Sequence, residues 1–329
     1  MSTNVQITTA SSSSEDLKLA SHKIKPFIVK TPVISSTELN KKLGIEIFFK
    51  CENFQKTGSF KLRGALNALY SLSEDALKYG VAAHSSGNHG LALAFAAQQL
   101  NIPCYIIVPK NTPLLKREKL DRTTANLILC EPSLPSREEA LKKVCTETGA
   151  LEIHSSNNPS VISGAGTTAL ELLETVPNLD VLIAPVGGGG LVSGCALAAL
   201  MFAGDVKVLG AEPEGANDAY QSLKAGKIIK SEANTIADGL RSALGNYTFS
   251  VIQNYVHDIL LACDRDILEA MRCIQNVFGF VVEPSAAISL AVVCANKPYF
   301  QGKRTGVILS GGNVNSALIP KHWNQLLHL

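Results

Sequence analysis

Val181-Leu182-Ile183-Ala184-Pro185-Val186 is apolar throughout, Gly187-Gly188-Gly189-Gly190 follows at once, and Leu191–Phe202 then spaces its apolar residues helically. An unbroken apolar strand is one buried on both faces of a parallel sheet. Glycines between such a strand and a helix let backbone N–H groups close around an anion, and the helix N-terminus adds partial positive charge. A phosphate is the guest this arrangement favours. Two other readings compete. Glu212 ends the next strand, where a dinucleotide fold places its ribose-binding acid, but Val192 and Ser193 stand where a G-x-G-x-x-G spacing needs glycine. A tight turn with close helix–strand packing needs fewer than four glycines in a row.

The same alternation runs outward in both directions. Strands are expected at Ile45–Lys50, Val81–Ser85, Cys104–Pro109, Asn126–Glu131, Leu151–His154, Val206–Ala211, Asp258–Ala262 and Gly306–Ser310, with helices such as Leu91–Leu100, Arg137–Thr148, Val161–Glu174 and Ile267–Val277 between them. This predicts an α/β fold of two domains, each an open, mostly parallel twisted sheet flanked by helices. The strands from Val81 to His154 form a smaller mobile domain (81–154), residues 15–80 and 155–329 share the larger one, and 1–14 is a disordered start.

Composition narrows the class. Of 329 residues 46% are hydrophobic and 18% charged, which describes a globular core, and the net charge of +2 gives no basis for a nucleic-acid or acidic-membrane partner. No apolar run approaches the ~20 residues of a spanning helix. The Ser/Thr-rich start carries no apolar core and no Arg, so no export signal is visible and a cytoplasmic location is expected. The eight cysteines form no C-x-x-C pair and read as free thiols in a reducing compartment.

Three further stretches carry chemistry. Lys61 follows a strand and a polar turn and opens a helical run, where an amine can lose its proton and attack a carbonyl. A solvated first-turn lysine is the commoner fate of any one such residue. Ser85-Ser86-Gly87-Asn88-His89-Gly90 lies between a strand and a helix and offers donors for a carboxylate, although Ser and Asn also cap helices. Ser310-Gly311-Gly312-Asn313 sets a hydroxyl at a strand's carboxyl end, or is one more tight turn. A phosphorylated aldehyde held covalently by the lysine would use all four features.

The set, spanning about Ile24 to Asn315, resembles the pyridoxal-phosphate enzymes of the tryptophan-synthase-β-like fold, in the serine/threonine dehydratase and racemase branch. The resemblance implies a cofactor in the cleft between the two domains, bound to Lys61 as a Schiff base. It implies that Gly187, Gly188, Gly189 and Gly190 hold the phosphate, that Asn88 bonds the phenolic oxygen, that Phe60 packs on the ring, and that Ser310 faces the pyridine nitrogen. A neutral hydroxyl at that nitrogen makes a weaker electron sink than a carboxylate would. Ser86 stands where dedicated dehydratases usually carry Ala, and racemisation needs a proton donor on the face opposite the lysine. Interconversion of L- and D-serine is therefore expected, with elimination of water from serine, and from threonine, as a companion activity. Aspartate racemisation and dehydration of threo-3-hydroxyaspartate are the alternatives. Ser85, Ser86, Asn88 and His89 would hold the substrate carboxylate, Arg137 would enter on domain closure, and Asp238 and Ser242 would flank the substrate.

The resemblance also implies a divalent cation, Mg²⁺ or Ca²⁺ with Mn²⁺ as an alternative, on Glu212, the Ala216 carbonyl and Asp218, although an acidic turn is usually only solvated. It further implies an ATP effector at a homodimer interface near Ser36, Thr37, Lys56 and Thr57, where Glu38 departs from the family pattern. His154-Ser155-Ser156-Asn157 is intermediate between the serine-specific and aspartate-specific patterns. Near Arg122-Thr123-Thr124 the family's turn glycine is missing, so Ala125 or Asn126 is expected to adopt the left-handed turn conformation. A silent, effector-binding relative is the non-enzymatic alternative. A nicotinamide oxidoreductase fails on glycine spacing.

Overall fold

The computed structural model describes residues 14–112 and 114–314. Ten strands are present among the described residues: β1 (Val33–Ile34), β2 (Glu46–Cys51), β3 (Val81–His84), β4 (Cys104–Pro109), β5 (Asn126–Cys130), β6 (Leu151–Glu152), β7 (Val181–Pro185), β8 (Lys207–Pro213), β9 (Asp258–Ala262) and β10 (Arg304–Leu309). They form two sheets. Six strands run in the order β1-β2-β10-β7-β8-β9, and four in the order β5-β4-β3-β6. Every pairing is parallel except β1 with β2. Non-consecutive neighbours in both sheets require crossovers, and the intervening helices supply them.

The parallel strands are apolar because they are covered on both faces. Val181 to Pro185 is buried at all five positions. On one side of the six-stranded sheet lies helix Pro284–Ala295, whose residues 284–293 are all buried. A helix apolar all round shows no helical period, which is why the sequence gives no sign of it. On the other side helices Pro159–Thr175 and Gly190–Phe202 cross backbone to backbone. A Cβ on Gly194 would lie 2.5 Å from both Gly166 N and Ile162 O, so the crossing needs glycine at that point.

A buried ionic cluster fixes the base of helix Lys61–Leu69. Arg63 donates to both Glu52 oxygens at 2.8 Å and to Glu171 at 2.8 and 2.9 Å. Lys50 donates to Glu171 at 2.6 Å and to the Thr31 carbonyl at 2.7 Å. Burial works against the Arg63 charge, but Glu52 and Glu171 outweigh it and hold the guanidinium firmly protonated.

Several expectations shift. β10 starts at Arg304, two residues before the expected Gly306, β8 reaches Pro213, and β6 closes at Glu152. The two-residue β1 and helices such as Thr37–Leu43, Asn246–Tyr255 and Pro284–Ala295 went unread in the sequence. The turn near Arg122 is a correction. Neither Ala125 nor Asn126 has a positive φ; among the described non-glycine residues only Asn101 and Asn178 do. Instead Thr123 Oγ1 donates to the Leu120 carbonyl at 2.6 Å and accepts from Ala125 N at 3.3 Å, closing the turn with a side chain. The expected disorder at 1–13 lies outside the described residues, and Ser14 opens helix Ser14–Ile24. The thiols are free, with four of the eight buried. No described helix is long and apolar enough to cross a membrane.

Candidate active site

The loop before Lys61 is docked on the carboxyl end of β10. Phe60 N donates to the Ser310 carbonyl at 3.0 Å, Gly312 N to the Gly58 carbonyl at 2.9 Å, and Ser59 bridges to Gly311. This pins the first residue of the helix, and its amine crosses to the Ser155 carbonyl at 2.8 Å. The Phe60 ring lies 5.0 Å from that amine. Burial pulls the Lys61 ammonium down to about 8, with the Glu283 carboxylate opposing the shift. A lysine so placed exchanges its proton near neutrality.

The tetraglycine turn meets other chain segments at every residue. A Cβ on Gly188 would lie 2.3 Å from Ser156 Oγ, and one on Gly190 would lie 3.0 Å from Ser156 Cα. Gly189 has φ of 81° and caps helix Gly190–Phe202 without a side chain. The turn therefore keeps the first amides of a 13-residue helix directed outward with no acidic group in its first turn. That is a cradle of the kind a phosphate fits.

Ser85 and Ser86 stand at the end of β3, both partly buried, and Gly87 caps helix Asn88–Gln99 without a side-chain bond. Asn88 Nδ2 donates to Glu283 at 2.8 and 3.0 Å, and its Oδ1 accepts from Asn313 Nδ2 at 2.8 Å. His89 has its ring turned away to the main chain. Its Nε2 bonds the Ile153 carbonyl at 2.8 Å, which makes Nε2 the donor, and Nδ1 is a buried acceptor without a partner among the described residues. Burial, then the Lys61 charge, push the ring down to about 3. His89 thus offers a carboxylate its main-chain N–H and not its imidazole.

Ser310 is buried, and its hydroxyl donates to the Ser285 carbonyl at 3.4 Å. Ser285 Oγ in turn accepts from Gly239 N at 3.0 Å. That bond ties the Asp238–Leu240 turn to the site, and a Cβ on Gly187 would lie 3.0 Å from Leu240 Cα. Asp238 and Ser242 are both exposed on this segment. Arg137 lies in helix Leu134–Thr148, its Nε buried without a partner among the described residues, and its charge helps depress His84 after burial does. A groove of about 570 Å³ runs beside it, lined by His84, Glu138, Lys142, Cys145, Glu152 and His154 among others.

Away from this cleft, Glu212 is fully buried and accepts from Ala219 N at 3.0 Å and Tyr220 N at 2.8 Å. Burial raises its carboxyl to about 8, helped by nearby Asp218, which burial itself raises to about 6. Asp218 Oδ2 is buried without a partner among the described residues. Two buried carboxylates with an orphaned oxygen fit a hard cation in charge, and the Ala216 carbonyl sits in the turn between them. No group of three or more His, Cys, Asp or Glu side chains suited to a metal occurs among the described residues. Ser36 is occupied as a helix cap, accepting from Leu39 N at 3.3 Å, and Thr37 starts that helix. Lys56 is exposed, while the Thr57 carbonyl accepts from Asn313 at 2.8 Å.

Sequence reasoning missed Ser156, Ser285, Glu283 and Asn313 as parts of this site. Ser156 left a trace in the serine run after His154, and Asn313 as the end of the Ser310–Asn313 stretch, without a role for its side chain.

The features fit pyridoxal phosphate: an amine near neutrality, a glycine cradle for the phosphate and a neutral hydroxyl. A family model described as pyridoxal-phosphate dependent enzyme matches residues 24–311. The chain is 45% identical over 311 residues to a β-hydroxyaspartate dehydratase of Paracoccus denitrificans, covering 94% of this chain and 98% of that one. It is 46% identical over 305 residues to a serine racemase of Arabidopsis thaliana, covering 91% and 92%. The solved structure of maize serine racemase superposes with a TM-score of 0.91 at 42% identity, covering 95% of this chain and 96% of that one. The chain belongs to the pyridoxal-phosphate dependent enzyme family.

Proposed function

We propose that this protein racemises serine and, in the same site, eliminates water from serine to a 2-oxo acid and ammonia. The observation that carries the reading is the Lys61 amine, buried to a pKa of about 8 beside the glycine cradle, on a chain that has Ser86 in its carboxylate loop. Relatives named as serine racemases, at 42–46% identity, support it.

Pyridoxal phosphate, when bound, supplies an electron sink that acidifies the substrate's Cα–H. The chain supplies the rest. Lys61 moves a proton on one face and the Ser86 hydroxyl on the other. Main-chain N–H groups of Asn88 and His89, with the Ser85 hydroxyl, hold the α-carboxylate at the start of helix Asn88–Gln99. Phe60 would pack against the cofactor ring, Asn88, held by Glu283, would face its phenolic oxygen, and Ser310 would offer its nitrogen a neutral hydroxyl in place of a carboxylate. Asp238 and Ser242 flank the substrate. Glu212, the Ala216 carbonyl and Asp218 would hold Mg²⁺, Ca²⁺ or Mn²⁺ in a structural, activating role, and a homodimer would take ATP near Ser36, Thr37, Lys56 and Thr57.

The Arg137 Nε, buried and without a partner among the described residues, favours a second reading. It could pair a second carboxylate, which makes aspartate or 3-hydroxyaspartate the substrate. The relative named β-hydroxyaspartate dehydratase supports this alternative. Incubation with L-Ser, D-Ser, L-Thr, L-Asp and threo-3-hydroxyaspartate, scored for enantiomer exchange and 2-oxo acid release, separates the readings. Exchange of serine enantiomers supports the first; turnover of dicarboxylic substrates alone supports the second.

A further inference from the structure

His154 Nδ1 accepts two main-chain N–H groups, from Ser156 at 3.1 Å and from Asn157 at 2.8 Å. Two donors on one ring nitrogen place the ring proton on Nε2. Each residue of the turn so shaped is used. The Ser155 carbonyl receives the Lys61 amine at 2.8 Å. Ser156 is buried against Gly188 and Gly190 of the phosphate cradle. Asn157 Oδ1 accepts from Tyr247 N at 3.0 Å and Thr248 N at 3.4 Å, in the first turn of helix Asn246–Tyr255, and a Cβ on Gly189 would lie 2.9 Å from Thr248 Cβ. One imidazole therefore underlies the amine, the glycine turn and the helix behind that turn.

From this arrangement we propose that His154 is a positioning residue whose neutral Nδ1 holds the Ser155–Asn157 turn in its cofactor-binding shape, and whose protonation releases it. An imidazolium has no lone pair at Nδ1, so both main-chain donors would face a third N–H. His154 lines the groove, with part of its surface open to solvent protons and its ring packed against the turn that it holds. The groups acting on it are Lys61 on its helix and His84 at the end of β3. His84 is in turn flanked by Arg137 and Glu138 of helix Leu134–Thr148 and by Glu152 of β6. Burial first, then His84 and Lys61, hold the ring below the ordinary histidine range, so release comes on acidification and not at neutrality. The proposal rests on the pyridoxal-phosphate site described above and adds to it a pH-dependent control of cofactor retention.

The test uses purified holoenzyme and measures the dissociation constant of pyridoxal phosphate by equilibrium dialysis from about pH 5 to pH 8. Wild type is compared with His154→Asn and His154→Leu. An asparagine Oδ1 takes the place of Nδ1, accepts the same two N–H groups as an Asx turn, and does not titrate. Wild type and His154→Asn are expected to bind alike at about pH 8, while acidification weakens wild type roughly fivefold to tenfold more than His154→Asn. His154→Leu should be weaker by a similar factor at every pH. Parallel curves for wild type and His154→Asn would overturn the proposal, as would an Asn variant as weak as Leu at pH 8. Should the Leu variant not fold, the Asn comparison alone decides. A wild type that retains no pyridoxal phosphate at any pH would instead overturn the site reading itself.

Discussion

Asn88 and Glu283, 195 residues apart, meet through an amide that reaches both carboxylate oxygens at 2.8 and 3.0 Å. The contact joins helix Asn88–Gln99, beside the four-stranded sheet, to the start of helix Pro284–Ala295 beneath the six-stranded one. It also places a carboxylate where it acts on Lys61. Because Glu283 opposes the effect of burial, Glu283→Gln should move the Lys61 titration further below about 8. The pH dependence of amine labelling at Lys61 in the cofactor-free protein reads this directly. A midpoint that stays put or rises would show that Glu283 does not set the charge of this lysine.

Ser86→Ala removes the only group proposed for the second face. Racemisation of serine should fall by about 10²–10⁴-fold while formation of 2-oxo acid persists, because elimination requires only the lysine face. Chiral analysis alongside a keto-acid assay measures both rates on one sample. Intact racemisation with lost elimination would reverse the assignment.

The Glu212–Asp218 pair predicts an unusual pH dependence of stability. Glu212 rises from an ordinary carboxyl value to about 8 on folding. A raised folded pKa contributes stability that is present below the unfolded value and lost as pH climbs through the folded one. In chelator the melting temperature should therefore fall between about pH 5 and pH 8, and Mg²⁺ or Ca²⁺ should flatten the fall. Chelation should also lower activity at neutral pH. Melting curves unaffected by divalent ions across that range would count against a cation at Glu212.

Arg63 is fully buried between Glu52 and Glu171, so Arg63→Met leaves the buried Glu52 carboxylate without a cation, Glu171 keeping Lys50, and should cost about 3–5 kcal/mol in denaturant unfolding. The exposed pair Lys143–Glu147, 3.9 Å apart with side chains 72% and 62% exposed, is the contrast; its removal should cost no more than about 0.5 kcal/mol. Equal losses at the two sites would mean that the buried cluster does not anchor the Lys61 helix.

How far the site was legible follows from the range of the contacts involved. The four glycines and Ser310 follow strand ends and Lys61 opens a helix after a strand and turn, places where each residue type has a local chemical reason. Glu283 has no such local reason. Followed by Pro284, it reads as an ordinary helix start, and its meaning comes from Asn88, far away in sequence. Ser156 shows in sequence only as part of a serine run, since its burial against Gly188 depends on how the turn after β6 meets the turn after β7. The part of His89 that faces a carboxylate is not legible in sequence either: only the Ile153 contact shows that the ring is taken and the main-chain N–H is left. The turn at Thr123 differs for a simpler reason: a hydroxyl can close a turn without any positive φ, so the missing glycine demanded nothing of Ala125 or Asn126.

The central claim is that Lys61 binds pyridoxal phosphate covalently, and borohydride reduction of the purified protein followed by peptide mass spectrometry tests it most directly. The account predicts a reduced pyridoxyl-phosphate adduct on Lys61, with Lys61→Ala folded, without the adduct and inactive. An adduct on another lysine, or full activity in Lys61→Ala, would contradict it.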